Sequence, residues 1–453
     1  MLNMTRKFDL IVIGTGVAGS TVAKQCRAAG WDVAIIDSLP FGGTCALRGC
    51  TPKKVLVDAA ALMDWNHRML QKGIDYQNIR IDWQALMRFK RTFTSPVPQK
   101  REQEYAEAGI AMFHGRARFV DETTVQVNDD TLQGRYVLIA TGSKPLKLGI
   151  PGEEYVSTSD QFLELEQLPQ RIIFVGGGYI SFESAHVSVR AGANVQILHE
   201  GEQPLEHFDP DLVNQLVQAT QDIGIDVRVN TKVKAIEKDS DYLIVRASTP
   251  DGEQTFETEL VIHGASRMPD LDDLDLEKAG VKREKKGVSV NEYLQSVSNP
   301  AVYAAGDVAA TGAPQLTPVA NMEAEVVANN LLKGDRQKPD YTEVPSVVFT
   351  TPTLAMVGHT EETAREKGLK FRTNHQDTSS WHSSSQKNMK YSSFKVLIKE
   401  DSNQILGAHL LGPDAQEVIN VFAMAIRAGF STDELKKMIF AYPTGASDIN
   451  KMV

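Results

Sequence analysis

Cysteine is nearly absent from this chain: three in 453 residues. That is too few for the disulfide framework of a small secreted scaffold. Long apolar runs are missing as well. No segment approaches the roughly 18 continuous apolar residues of a membrane-spanning helix, so no membrane partner is expected. The opening MLNMTRKFDLIVIG enters a strand-like apolar run too short for a secretory signal core with its cleavage site. A cytoplasmic protein is expected, in a reducing compartment where a working disulfide is more plausible than a structural one. An excess of basic charge is also lacking. With 48 Lys and Arg against 58 Asp and Glu the net charge is -10. That argues against nucleic acid or an anionic membrane surface as main partner, since both need a basic face. The 10 histidines show no metal-ligand spacing, and no metal site is expected. The length suggests about three domains.

Two of the three cysteines, Cys45 and Cys50, lie together in 41-FGGTCALRGCTPKK-54. A structural zinc site would need four ligands, and the remaining cysteine, Cys26, falls in STVAKQCRAAG, a small-residue helix pattern suited to an inert buried thiol. The other reading is a redox dithiol, which needs an electron source close by.

The chain carries candidates for one. FDLIVI at 8–13 is a strand signal; Gly14, Gly16 and Gly19 follow in GTGVAGS; then come a helix signal and a second apolar run ending at Asp37. This is the dinucleotide fingerprint in its strand–turn–helix–strand context. The first glycine permits the tight turn, the second lets backbone approach a pyrophosphate, and the third allows close helix packing. Asp37 can accept hydrogen bonds from ribose hydroxyls. The pattern returns in 171-RIIFVGGGYISFESA-185, with Gly176 and Gly178 in the first two places and Ser181 in the third. The spacing to the end of the next strand repeats: 37 − 14 = 23 and 199 − 176 = 23, so His199 aligns with Asp37. One such turn is weak evidence; two at matched spacing point to two dinucleotides and to hydride transfer from nicotinamide to flavin.

Taken together, these features resemble the pyridine nucleotide–disulfide oxidoreductases, the family of glutathione reductase, dihydrolipoamide dehydrogenase and mercuric reductase. The resemblance covers nearly the whole chain. It rests most specifically on GGTC…GC-x-PKK, and also on YVLIATGSKP at 136–145, GASRMPD at 264–270, AVYAAGDVAATGAPQLTPVA at 301–320 and VPSVVFTTPTLAMVGHTEETA at 344–364. It implies an α/β fold with two Rossmann-like dinucleotide-binding domains and a C-terminal α+β dimerisation domain. The FAD domain would span 1–150 and 266–338, the nicotinamide domain 151–265 and the interface domain 339–453, in a homodimer whose active sites use the partner's tail. AQEVINVFAMAIRAG at 415–429 has helical spacing of apolar residues, and the polar 379–393 segment reads as an exposed loop with His382 at the surface.

The same resemblance assigns roles. Cys50 would be the thiol against the flavin and Cys45 the one that attacks substrate. Lys53 would lie near the flavin and pair with Glu183. Tyr179 would cover the flavin until nicotinamide displaces it, and Asp307 would meet the ribityl chain. Gly43, Thr44, Thr141, Gly142, Arg267 and Thr317 join the cofactor-binding set, as do Gly264 and His199 on the nicotinamide side. Arg48, Lys53 and Lys54 could stabilise a thiolate, or stand as solvated surface charges. The implied relay runs from NAD(P)H through FAD to the Cys45–Cys50 disulfide, and on to a small disulfide or thiol-reactive electrophile.

Three departures bear on function. In the disulfide-reducing members a tail histidine, oriented by a glutamate, is the acid–base catalyst. Here 439-IFAYPTGASDI-449 has Tyr442 at the histidine position and Ser447 at the glutamate position. A tyrosine pKa near roughly 10 against a thiol near about 8.5 makes protonation of a leaving thiolate uphill by about 2 kcal/mol. Tyr442 can still donate a hydrogen bond, or pack the dimer seam. Mercuric reductases also resemble the chain in having tyrosine there, yet no cysteine follows Cys50 to hand over metal. Leu47 replaces the family's usual asparagine between the cysteines. The alternatives are therefore a metal-ion reductase using the same dithiol, and a quinone or dye reductase in which flavin acts directly. His199 in place of an acid orders the nicotinamide donors as NADPH first and NADH second, although Glu200 and Glu202 point the other way.

Overall fold

In the computed structural model, residues 5–75 and 79–453 are described. The chain divides into two compact units: 1–52, 89–146 and 267–341 make the first, and 53–88, 147–266 and 342–453 the second.

Among the described residues, the first unit holds a seven-stranded sheet. Four strands run parallel in the order Ala111–His114, Val33–Asp37, Arg6–Ile13 and Asp130–Ile139, with Val302–Ala304 parallel on the outer side of the last. Thr124–Val127 and Ala117–Phe119 complete the sheet as antiparallel strands. The central strand is apolar on both faces because both are covered. Its alternate residues feed two separate cores. Ile11 and Ile13 join Ala34, Ile36 and Val137 on one face. Leu10 and Val12 join Val33, Ile35 and Cys26 on the other, beneath the helix Val17–Ala28. The inert-thiol reading of Cys26 agrees with this position: it is wholly buried, and burial pushes its thiol up to about 12.

The second unit repeats the parallel arrangement. Ile225–Arg228, Asn194–Leu198, Arg171–Val175, Leu260–His263 and Ser157–Thr158 form a five-stranded parallel sheet, backed by the helices Tyr179–Arg190 and Pro210–Asp222. A three-stranded antiparallel sheet covers 232–258. Beyond residue 342 the architecture changes to a five-stranded antiparallel sheet, ordered Ser346–Val348, Thr353–Gly358, Ile405–Gly412, Ser393–Lys399 and Phe371–Asp377. The helix Ala415–Arg427 packs its Val418, Ile419 and Phe422 face on this sheet. The fold class is therefore α/β, with two Rossmann-like dinucleotide-binding domains and a C-terminal α+β domain.

One expectation needs correcting. The 379–393 segment is not simply an exposed loop. His382 is exposed, but Ser384, Met389, Ser392 and Ser393 are buried. Three hydroxyls satisfy one another: Ser384 Oγ donates to Ser392 Oγ at 2.9 Å, and Thr378 Oγ1 lies 2.7 Å from the same atom, while Ser393 Oγ has no partner. Trp381 packs on Phe394 with ring centroids 5.7 Å apart. Mutual hydrogen bonding allows polar residues to be buried without a large penalty, which composition alone does not reveal.

Candidate functional site

Each fingerprint builds its cradle locally. Gly14 sits at φ +112, and a Cβ there would lie 2.2 Å from the Ala140 carbonyl oxygen, so glycine is required. Gly16, the N-cap of the following helix, has neither a side-chain cap nor a close neighbour apart from Gly43, whose own Cβ would lie 2.3 Å from the Gly16 Cα. A helix N-terminus with uncapped N–H groups, reached over two glycines, fits a pyrophosphate. Gly19 packs on the Gly14 carbonyl. Asp37 folds back on the turn: the Thr15 N–H and hydroxyl donate to its Oδ2 at 2.8 and 2.6 Å, and the Leu39 N–H to Oδ1 at 2.9 Å. The carboxylate keeps lone pairs for ribose hydroxyls.

The second fingerprint has the same plan. Gly176 sits at φ +103 against Ala265, and Gly178 caps its helix without a side-chain bond. Ser181, in the third position, is fully buried against Gly264, and its hydroxyl has no hydrogen-bond partner. Tyr179 opens the helix and is half exposed. His199 faces inward: the Gly177 N–H donates to its Nδ1 at 3.1 Å, and its Nε2 lies 2.9 Å from the Gln203 carbonyl. Both ring nitrogens are occupied within the chain, so this geometry does not offer the donor that the sequence suggested.

In the first unit, the remaining flavin candidates form a connected chain. Ser143 Oγ donates to Asp307 Oδ2 at 2.9 Å. Arg267 holds Ser143 in turn, through Nε to Oγ at 3.0 Å and through its other nitrogen to the Ser143 carbonyl at 2.6 Å. Thr141 Oγ1 donates to the Asp270 carbonyl at 2.6 Å, and the Asp270 N–H to the Gly142 carbonyl at 3.0 Å. Glu323, almost wholly buried, accepts from the Gly306 N–H at 2.6 Å and the Tyr341 hydroxyl at 2.7 Å, bracing the turn that presents Asp307. Burial is the main cause of its raised carboxyl pKa.

The cysteines occupy two consecutive helical segments. Cys45 lies in the short helix Gly43–Leu47, after exposed Thr44, and Cys50 is the first residue of the 20-residue helix Cys50–Met69. Cys50 Sγ is 3.3 Å from the Thr317 hydroxyl, which opens the helix Thr317–Lys333. Two helix N-termini and a hydroxyl thus favour negative charge at Cys50. Cys45 behaves oppositely. Its hydrogen bond with Cys50, then burial, push its thiol well up, against a lowering contribution from Thr317.

In the second unit the predicted Lys53–Glu183 pair is present. Lys53 Nζ meets Glu183 Oε1 at 2.8 Å, with the Glu183 side chain only 2% exposed. The Phe349 N–H donates to the same oxygen at 2.8 Å, and Lys53 Nζ lies 4.5 Å from the Phe349 ring centroid. The lysine is compensated twice, by a carboxylate and by an aromatic face.

Comparison with known proteins agrees with this geometry. The pyridine nucleotide-disulphide oxidoreductase family model matches residues 8–324, and the dimerisation domain of the same family matches 344–453. The chain belongs to the pyridine nucleotide-disulphide oxidoreductases. It is 31% identical to a mercuric reductase of Staphylococcus aureus over 99% of this chain and 82% of the relative. It is 31% identical to a glutathione reductase of Burkholderia cepacia, covering 97% of each. Among solved structures, the Cu(II) complex of the HOCl-induced flavoprotein disulfide reductase RclA from Escherichia coli superposes with a TM-score of 0.88 at 27% identity, covering 99% of both chains.

As an oxidoreductase of this family, the protein places its tail residue conspicuously. Tyr442 is 81% exposed, beside Ile439 at 98%. Thr444 and Ser447 cap one another: the Ser447 N–H donates to Thr444 Oγ1, and the Thr444 N–H to Ser447 Oγ at 3.2 Å. Ser447 therefore serves the local turn. Leu47 is buried, and Gly42 packs on it and on Val97. Three contributors escaped sequence reading: Thr15, Ser143 and Glu323. Thr15 had a legible signal, since it lies inside the fingerprint; the other two act through partners distant in sequence. No helix among the described residues is long and apolar enough to cross a membrane, and no group of three or more His, Cys, Asp or Glu among them could hold a metal ion.

Proposed function

We propose that this oxidoreductase takes two electrons from a reduced nicotinamide dinucleotide and delivers them through Cys45 and Cys50 to a small disulfide or another thiol-reactive electrophile. The observation that carries this reading is the pair of free thiols on consecutive helical segments, with Cys50 Sγ at the start of its helix and 3.3 Å from the Thr317 hydroxyl that opens another. FAD, held by Gly14, Gly16, Gly19, Asp37, Gly43 and the Asp307–Ser143–Arg267 chain, would supply the two-electron chemistry between nucleotide and dithiol.

The chain's own residues divide the remaining work. Cys45 gives up its proton and attacks one sulfur of the substrate disulfide, forming a mixed disulfide and releasing the first thiolate. Cys50, as thiolate, then attacks the Cys45 sulfur, closing the intramolecular disulfide and releasing the second. Two electrons leave the dithiol, and its two protons pass to the leaving thiolates. Tyr442 is the proposed hydrogen-bond donor to a leaving group, working in a homodimer built through residues 339–453. Residues 1–150 with 266–338 are the proposed flavin domain, and 151–265 the nicotinamide domain. We place this chemistry in the cytoplasm, where a dithiol can cycle.

A second reading, reduction of a thiol-bound metal ion by the same dithiol, draws support from Tyr442 in place of an imidazole. Relatives named for mercury, and a structural neighbour holding Cu(II), favour it too.

The test is an anaerobic titration with reduced nicotinamide nucleotide, followed by turnover assays on disulfides and thiol-bound metal salts. A long-wavelength thiolate charge-transfer band at two electrons per flavin, lost in Cys50→Ser, is expected. Turnover should vanish in Cys45→Ser. Direct bleaching without the band, with Cys45→Ser fully active, would instead indicate a quinone or dye reductase.

A further inference from the structure

The expectation of NADPH rested on His199, because it replaces an acid that would repel a 2′-phosphate. The side chain is not available for that task. A carbonyl oxygen can only accept, so the Nε2 that meets Gln203 carries the proton. Nδ1 is then the bare acceptor of the Gly177 N–H. Neither ring nitrogen is left to donate to a ligand. The ring is also boxed in. A Cβ on Gly177 would lie 2.7 Å from its Cγ and 2.8 Å from Pro204 Cβ, and a Cβ on Gly201 would lie 2.8 Å from its Nε2.

The first fingerprint shows what this arrangement is for. There the second turn residue, Thr15, donates its N–H to Asp37. Here the residue at the same place, Gly177, donates its N–H to His199. His199 therefore does the acid's work on the turn and leaves the ligand to its neighbours.

Those neighbours are anionic. The segment HEGEQPLEH, 199–207, contains Glu200, Glu202 and Glu206 and no Lys or Arg. It is stitched to the adjacent strand end by backbone bonds: the His199 N–H donates to the Arg228 carbonyl, the Thr231 N–H to the His199 carbonyl, and the Asn230 N–H to the Gly201 carbonyl. Two of the cations brought alongside are engaged. Lys232 Nζ meets Glu200 Oε2 at 2.9 Å. Arg228 Nε meets Asp226 Oδ2 at 2.8 Å. Lys234 also bears on Glu200, and Lys232 is the main reason the Glu200 carboxyl lies below its ordinary range. Glu202 and Glu206 are exposed. A 2′-phosphate arriving here would have to displace Glu200 from Lys232 and face two further carboxylates. A ribose diol needs the opposite, an ionised acceptor for two hydroxyl donors.

Resting on the reading of this chain as a nicotinamide-dependent oxidoreductase, we propose that its electron donor is NADH. His199 is the positioning residue of the turn, and Glu200 and Glu202 are the residues that select the unphosphorylated ribose.

Calorimetric dissociation constants for NAD⁺ and NADP⁺, measured on the purified flavoprotein, test this independently of turnover. Kinetics with NADH and NADPH test it a second way. At least a tenfold preference for the unphosphorylated nucleotide is expected in both. Glu200→Ala with Glu202→Ala should reduce that preference about tenfold, whereas His199→Ala should weaken both nucleotides alike and leave the ratio unchanged. Tighter binding of NADP⁺, or a ratio indifferent to Glu200 and Glu202, overturns the proposal while leaving the oxidoreductase reading intact. Failure of both reduced nucleotides to reduce the flavin would sink that reading itself.

Discussion

Glu183 is the residue whose loss should be felt most. Its carboxylate is nearly wholly buried and holds both the Lys53 ammonium and the Phe349 N–H. Glu183→Ala leaves a partly buried cation and an amide unpaired, and should destabilise the protein by about 3 kcal/mol in denaturant titration. Replacing Lys53 and Glu183 together with methionine should recover most of that loss, because the penalty comes from the orphaned charge. Ser181 should show the reverse. Its buried hydroxyl has no partner, so Ser181→Ala should raise stability by about 1 kcal/mol. His186 sets a pH dependence. Its Nε2 faces the Thr220 hydroxyl at 3.0 Å, which itself donates to the Leu216 carbonyl, so Nε2 carries the proton. Burial, then Arg190, hold its pKa well below the ordinary value of 6.5. The unfolded chain takes up this proton as pH falls below about 6.5 while the native state does not, so stability declines toward acid, by up to about 1.4 kcal/mol per pH unit. In His186→Gln the decline between about pH 6.5 and 5 should be shallower by that amount; an unchanged slope would show that other groups govern it.

At the scale of elements, two glycines of one turn should fail differently. Gly14 has a left-handed backbone and a carbonyl 2.2 Å from any Cβ, so Gly14→Ala should impair folding itself. Gly16 has open space where its Cβ would point, apart from Gly43 at 4.0 Å. Gly16→Ala should fold with near-normal apoprotein melting and bind FAD at least tenfold more weakly, read from flavin release on dilution. These turns were legible in the sequence because strand, glycine spacing and helix are contiguous, and their periodicities change where the chain turns. The cysteine pair and the Lys53–Glu183 partnership were legible through family resemblance. The inward turn of His199 was not, because its partners Gly177 and Gln203 sit in loops where no period predicts which way a ring points. The buried hydroxyl cluster of 379–393 was hidden for the same reason: serine composition is identical whether the hydroxyls bond to water or to each other.

For the molecule as a whole, the exposed apolar side chains of the C-terminal region matter most. Ile439, Tyr442 and Met424 stand 98%, 81% and 72% exposed in a chain that carries a dimerisation domain. Exposed apolar side chains in a dimerisation domain are the first candidates for its interface. Ile439→Asp should shift a dimer toward monomer at micromolar concentration, measured by light scattering, and turnover should fall in step if each site needs its partner's Tyr442. Unchanged mass would place the interface elsewhere. The paired fingerprints carry a wider consequence. The side chain ending the second strand pins its own turn in both units, an acid in one and an imidazole in the other, so on the NADH proposal coenzyme choice would reside one residue further along. It would then be an editable trait: exchanging the side chains at 200 and 202 should retune the enzyme toward a different metabolic electron pool without disturbing the turn itself.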